Sequence, residues 1–192
     1  MRIRLYIYAL RVARLRQLQA RALRPLARRR FPAGEPPRDA QPVPAAEALW
    51  RSAAFEVAPP RDVSTRLGRF HRQYGEDVLE AARAGDLEEA RRLVATWIEA
   101  HPPRKGDAWH PYPLSTRVGN WIAALTLLPE LASSALSRSL WRQLARLERN
   151  VENDVLGNHL IRNARALVLG GTAFAAPELT RRGIDLLRRE LP

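Results

Sequence analysis

The sequence predicts an all-α protein built of antiparallel helical hairpins, and three observations predict it. From Asp86 onward, apolar residues recur at spacings of three and four, the period of a helix buried on one face. The segments between these runs are short and carry helix-stopping prolines, and no stretch alternates in the manner of a strand. Five or six helices of roughly 12 to 18 residues with short connections pack as sequence neighbours, the unit of bundles, solenoids and toroids. No strict repeat period selects among those three.

Residues 3–31 read as a first helix. Leu5, Tyr8, Val12, Leu15, Leu18, Ala22 and Leu26 form one apolar stripe and arginines fill the opposite face. Pro25 bends it or ends it early. Such a helix either lies on an anionic membrane surface or packs its stripe against the rest of the protein. Residues 32–66 form a Pro-rich arm in which Pro32, Pro36, Pro37, Pro42, Pro44, Pro59 and Pro60 prevent regular structure. Trp50 and Phe55 favour a wrapping arm over a free linker, because large aromatics in a loop anchor it to a surface.

Residues 67–192 make the helical body. Asp86 is the expected N-cap of a helix with Glu89 three residues on; Leu87, Ala90, Leu93, Val94, Trp97 and Ile98 form its face, and His101, Pro102 and Pro103 stop it. Ser115 or Thr116 is expected to open the next helix, lined by Val118, Trp121, Ile122, Leu125 and Leu128 and ended by Pro129. Further helices are expected over Ser139–Asn150, over Val151–Leu169 with an interruption at Gly157, and from about Pro177 to Leu191.

Composition bounds the function classes. The chain has 192 residues, 46% of them hydrophobic, enough for one domain with a core. No apolar run approaches the ~20 residues of a membrane span. In MRIRLYIYAL the basic start is followed too soon by Arg11, Arg14 and Arg16 for a signal peptide, which makes the cytoplasm the default expectation. With no cysteine there is neither a disulfide framework nor a thiolate site, and His71, His101, His110 and His159 form no zinc-helix pair, so no metal or other cofactor is expected.

The net charge of +12 is local. Residues 1–30 hold ten arginines and no acid, and the remaining 22 basic groups stand against 20 acidic ones, a net of +2. Lys105 is the one lysine, so arginine abundance reflects a general preference and is weak evidence for phosphate binding.

Two segments carry side chains with chemistry. GNHLIRNARAL, Gly157–Leu167, places Asn158, His159 and Asn163 in an apolar helical pattern, and Gly157 permits close approach of backbone or ligand. Either Asn158 caps a helix while His159 is a satisfied histidine, or both face a cleft. WHPYPLSTRVGNWI holds Trp109, His110, Tyr112, Arg117, Asn120 and Trp121. Aromatic faces stack on sugar rings while Arg and Asn grip carboxylates and hydroxyls, a mixture suited to an acidic carbohydrate; the same residues also serve core packing.

GDLEEARRLVATWIEAHPP, WHPYPLSTRVGNWI and LERNVENDVLGNHLIRNARALVLGG, followed by a closing helix, occur in an order that resembles the N-terminal helical region of heparinase II/III-like polysaccharide lyases, alginate lyase relatives among them. The opening LYIYALRVARLRQLQARAL resembles the leading segment of bacterial members. The resemblance implies an incomplete (α/α) toroid whose concave face holds a uronate-containing polysaccharide, normally followed by β-sandwich sheets. It gives Asn158 the role of neutralising the uronate carboxylate, with His159 as a second carboxylate contact or as the base for one epimer. Trp109, Tyr112, Arg117, Asn120 and Asn163 become substrate-binding residues. Many relatives work in the periplasm.

In that family the catalytic Tyr and a further His belong to a segment that would follow Glu190–Pro192, and none of Tyr6, Tyr8, Tyr74 and Tyr112 takes the Tyr position. The isolated chain is therefore expected to bind acidic polysaccharide with little or no lyase activity, and a downstream chain completing the enzyme is an expected partner. Two other functions compete with this one. An anionic-polymer module, nucleic acid included, would act through the Arg-rich helix; the near-neutral body and the lack of a nucleic-acid motif argue against it. A helical scaffold would bind a partner protein through apolar surface left by an unclosed ring.

Overall fold

The computed structural model describes residues 34–44, 46, 64–103, 106–153, 155 and 157–190. The basic helix expected over 3–31, and Trp50 and Phe55, lie outside the described residues. The described residues form α1 (Arg66–His71), α2 (Glu76–Arg83), α3 (Leu87–Ala100), α4 (Pro111–Leu127), α5 (Ser134–Glu148), α6 (Asn158–Ala173) and α7 (Pro177–Glu190), with short 3₁₀ turns at Asp107–Trp109 and Pro129–Leu131. There is no strand among them, and the described fold is all-α.

Local chemistry sets the helix ends. Asp86 Oδ1 accepts the Glu89 N–H at 3.0 Å and opens α3, as its sequence indicates. Helix α4 begins four residues before the expected Ser115. Pro111 supplies the first helical position, where a missing N–H costs nothing, and His110 Nδ1 accepts the Tyr112 N–H at 3.4 Å as the cap. The Ser115 and Thr116 hydroxyls instead donate back to the Tyr112 carbonyl at 2.9 and 3.0 Å.

Two other starts also move. Ser133 Oγ takes the Leu136 N–H at 3.2 Å, so α5 starts ahead of Ser139. Helix α6 starts at Asn158 rather than Val151, because Gly157 sits at φ 56° and ψ −135°, a conformation open essentially to glycine alone. The short α1 and α2 were not legible individually: six and eight residues span too few turns for a period to appear.

Helix α4 is the centre of the molecule. Every residue from Leu114 to Leu125 is buried, the signature of a helix surrounded on all sides. Helices α2, α4 and α6 lie side by side in that order, while α3, α5 and α7 pack on α2, α4 and α6 respectively. The result is two rows of helices joined as hairpins. Leu114, Val118, Trp121 and Ile122 of α4 meet Leu140, Leu144 and Leu147 of α5 and Leu160, Ala164 and Leu167 of α6 in one apolar core.

The described part of the Pro-rich arm belongs to this core. Ala40, Val43 and Ala46 are buried. The Ala40 N–H donates to Ser137 Oγ at 3.0 Å, the Gln41 N–H to the Ala173 carbonyl at 3.0 Å, and the Val43 N–H to Thr126 Oγ1 at 3.0 Å. The arm thus crosses the C-terminal ends of α4 and α6, satisfying a last-turn carbonyl of α6 that the helix leaves without a partner. Both helices therefore point their N-terminal ends the same way.

Helices α6 and α7 approach through a small residue. A Cβ added at Gly183 would lie 2.6 Å from the Ala164 carbonyl oxygen and 2.7 Å from Val168 Cγ2. Since the obstructing atom is backbone, Gly183→Ala is expected to destabilise by about 1–3 kcal/mol despite the better helix propensity of alanine. Chemical denaturation of the two proteins checks this; a more stable variant contradicts the close packing.

Candidate functional site

The N-terminal ends of α4 and α6 gather a set of polar side chains around one buried carboxylate. Glu152, in the turn segment before α6, has a side chain only 1% exposed. Its own backbone N–H donates to Asn163 Oδ1 at 3.0 Å. That bond fixes the orientation of the Asn163 amide, whose Nδ2 donates to Glu152 Oε2 at 3.4 Å and to Ser115 Oγ at 3.2 Å. Ser115 has its hydroxyl proton committed to the Tyr112 carbonyl, so its oxygen is free to accept. Asn163 and Ser115 are fully buried.

The other carboxylate oxygen, Glu152 Oε1, faces two histidines. His159 Nδ1 lies 3.3 Å from it and His110 Nδ1 lies 3.9 Å from it. The His159 side chain is 38% exposed, so this ring joins the buried carboxylate to solvent. Its face lies against Tyr112, with ring centroids 4.3 Å apart, and the Arg162 guanidinium sits 5.4 Å from the Tyr112 centroid. Tyr74 approaches Tyr112 edge-on at 6.0 Å. Burial first, and then the neighbouring Tyr112, push the Tyr74 phenol above its ordinary range, so it stays protonated at neutral pH. Phe70 completes the wall against His110 at 4.8 Å.

Of the residues expected from sequence, His159, Asn163 and Tyr112 meet here. Asn158 is exposed in the first turn of α6, next to His159. Gly157 precedes it, and the Gly157 N–H donates to Glu190 Oε2 at 3.2 Å, tying this turn to the end of α7.

Trp109, Arg117 and Asn120 were expected to line a substrate groove, and their positions do not support that role. Trp109 is buried, and its indole N–H donates to the Pro102 carbonyl at 3.1 Å. Asn120 is buried and donates to the Tyr74 carbonyl at 3.0 Å. Arg117 is 0% exposed. Its Nε donates to Gln143 Oε1 at 2.9 Å, its two terminal nitrogens donate to the Gln73 and Ala108 carbonyls at 2.7 and 2.9 Å, and its plane lies 3.8 Å from the Trp97 ring centroid. These groups are polar because the core needs donors at that depth, a task residue type alone does not reveal.

Glu152 is the site residue that the sequence does not single out, whereas His110 stands in the aromatic segment but without an assigned role. Glu152 stands seven positions before His159 across a non-helical turn, so no helical period links them. An open groove of about 620 Å³ lined by Gly171, Pro177, Thr180, Arg181 and Ile184 runs along α7 and shares no residue with the cluster. Among the described residues, no group of three or more acidic, histidine or cysteine side chains is placed to hold a metal ion. No described helix is long and apolar enough to cross a membrane. Comparison with protein-family models, with curated proteins and with solved structures gives no match.

Replacing Arg117 strands three acceptors. Arg117→Met keeps the apolar stem but leaves Gln143 Oε1 and the carbonyls of Gln73 and Ala108 without their donor. A loss of about 3–5 kcal/mol is expected in urea unfolding. Arg117→Lys, which cannot present a planar fork, should recover only part of it.

Proposed function

We propose that this chain is the toroid portion of a polysaccharide lyase of the heparinase II/III-like lineage, and that Asn158 receives the carboxylate of a uronate in a heparin/heparan- or alginate-like polymer, with His159 beside it as a second carboxylate contact or as the base. The observation that carries this reading is the contact of half-exposed His159 with the Tyr112 ring at one end of α4 and α6, above the buried Glu152–Asn163–Ser115 relay, with exposed Asn158 the preceding residue in the first turn of α6. The side-by-side order of α2, α4 and α6, each carrying its hairpin partner, is compatible with the inner and outer rows of an (α/α) toroid.

The chemistry asks for these residue types. In β-elimination the C5–H bond breaks, its electron pair becomes the C4–C5 double bond, and the C4–O4 bond breaks as the oxygen leaves. The carboxylate on C5 gains negative charge as the proton departs. An uncharged amide stabilises that charge without competing for the proton, and one such donor is worth about 3–4 kcal/mol in comparable oxyanion sites. The parallel N-terminal ends of α4 and α6 add partial positive charge on the same side. An imidazole is the side chain best matched to accept the proton near neutral pH. The leaving O4 must also gain a proton, so binding is the property to measure first, since it depends on the carboxylate contact alone.

Alginate- and heparin-derived oligosaccharides are expected to bind, as read by isothermal titration calorimetry at moderate salt. The double variant Asn158→Ala, His159→Ala should weaken binding at least about tenfold, the effect of losing roughly 1.4 kcal/mol of hydrogen bonding. Both side chains reach solvent, so an unchanged circular dichroism spectrum is expected alongside. Affinity equal to the parent's would remove the uronate site from these two residues.

A further inference from the structure

We propose that Glu152 is a positioning residue that sets the proton inventory of His159, holding it as the Nδ1–H tautomer so that Nε2 faces solvent as a proton acceptor. This rests on the uronate reading only for what Nε2 accepts a proton from; the tautomer itself follows from the hydrogen-bond polarity of the cluster.

That polarity runs in one direction. The Glu152 N–H can only donate, so Asn163 Oδ1 accepts and Asn163 Nδ2 must donate to Glu152 Oε2. An ionised carboxylate only accepts, so the 3.3 Å contact from Oε1 to His159 Nδ1 places a hydrogen on Nδ1. In the neutral ring Nε2 then bears the lone pair. His110 cannot be the donor that satisfies Oε1 in the same way, because its Nδ1 already accepts the Tyr112 N–H at 3.4 Å and lies 3.9 Å from the carboxylate. The two histidines that share one carboxylate therefore hold opposite tautomers: Nδ1–H at His159 and Nε2–H at His110.

This decides between the two roles open to His159. A neutral ring with its lone pair outward repels a substrate carboxylate and accepts a proton, so His159 is the base and Asn158 is the carboxylate contact.

The isosteric variant Glu152→Gln is a sharp test because Asn163 dictates how the new amide sits. Asn163 Nδ2 needs an acceptor, which keeps the Gln carbonyl oxygen at the Oε2 position and turns its NH₂ toward His159. An NH₂ there donates to Nδ1 and drives the hydrogen to Nε2. Long-range ¹H–¹⁵N correlation spectra of the labelled full chain, at a pH where the imidazoles are neutral, read both nitrogens of each ring, and His159→Gln assigns the signals.

In the parent, His159 should show the Nδ1–H pattern by about tenfold or more over the alternative, as one hydrogen bond to a charged group implies. Free histidine favours Nε2–H, which makes that pattern diagnostic. His110 should show Nε2–H, and Glu152→Gln should invert His159 alone. A parent His159 in the Nε2–H form overturns the proposal whatever the variant does, and so does an unchanged tautomer in a folded Glu152→Gln protein.

Titration with an alginate-derived hexauronate separates this idea from the one beneath it. If the tautomers are as stated and Asn158→Ala leaves hexauronate affinity unchanged, the Glu152 assignment stands and the uronate reading falls. If affinity drops but His159 is already Nε2–H in the parent, the reverse holds.

Discussion

Arg117 joins four parts of the chain that are far apart in sequence: the turn before α2 through Gln73, α3 through the face of Trp97, the 3₁₀ turn before α4 through Ala108, and α5 through Gln143. Burial holds its guanidinium well below the ordinary arginine range, the expected response of a cation removed from water. The effective cost of burying such an ion is several kcal/mol. Three hydrogen bonds from a charged donor and one desolvated ring face are together of that same order. The hydrogen bonds of the planar fork thus offset the cost of burying it, and the fork fixes where four segments stand around α4. Trp121, one turn along, is enclosed by the same arrangement and meets Trp97 edge-on at 5.3 Å.

The consequence reaches the candidate site. With the turn before α2 held against mid-α4, Tyr74 is set beside Tyr112, and Tyr112 beside His159. The aromatic wall is thus supported by the core. On its other side the buried relay of Glu152, Asn163 and Ser115 ties the turn before α6 to the first turns of α4. Every hydrogen bond in that relay has one allowed polarity, so a single carboxylate organises the side chains around it.

Much of the helical layout was legible because it is written in spacing and caps. Asp86, the stop at Pro102 and Pro103, and the last helix from Pro177 all follow local rules. The start of α4 was misplaced because two serine-like residues resemble a cap, whereas a histidine before proline supplies it; the hydroxyls of Ser115 and Thr116 turn back onto their own helix. At the site, Asn158, His159, Asn163 and Tyr112 were recognisable as polar groups in apolar pattern. Glu152 was not, since an acid in a charged turn looks solvated until the chain folds it under a helix. Trp109, Arg117 and Asn120 erred in the other direction: a polar or aromatic side chain near a candidate motif serves the interior as readily as a ligand, and only depth distinguishes the two.

The short run around Ala40 and Val43 has a mechanical consequence. By clasping the trailing ends of α4 and α6 through Ser137, Ala173 and Thr126, it couples two helices whose leading ends carry His110 and His159. A slip of one against the other by a single residue would have to break that clasp more than twenty ångströms away, going by a rise of about 1.5 Å per residue along α4. The alignment of the two imidazoles over their shared acid is therefore guarded from the opposite pole of the molecule.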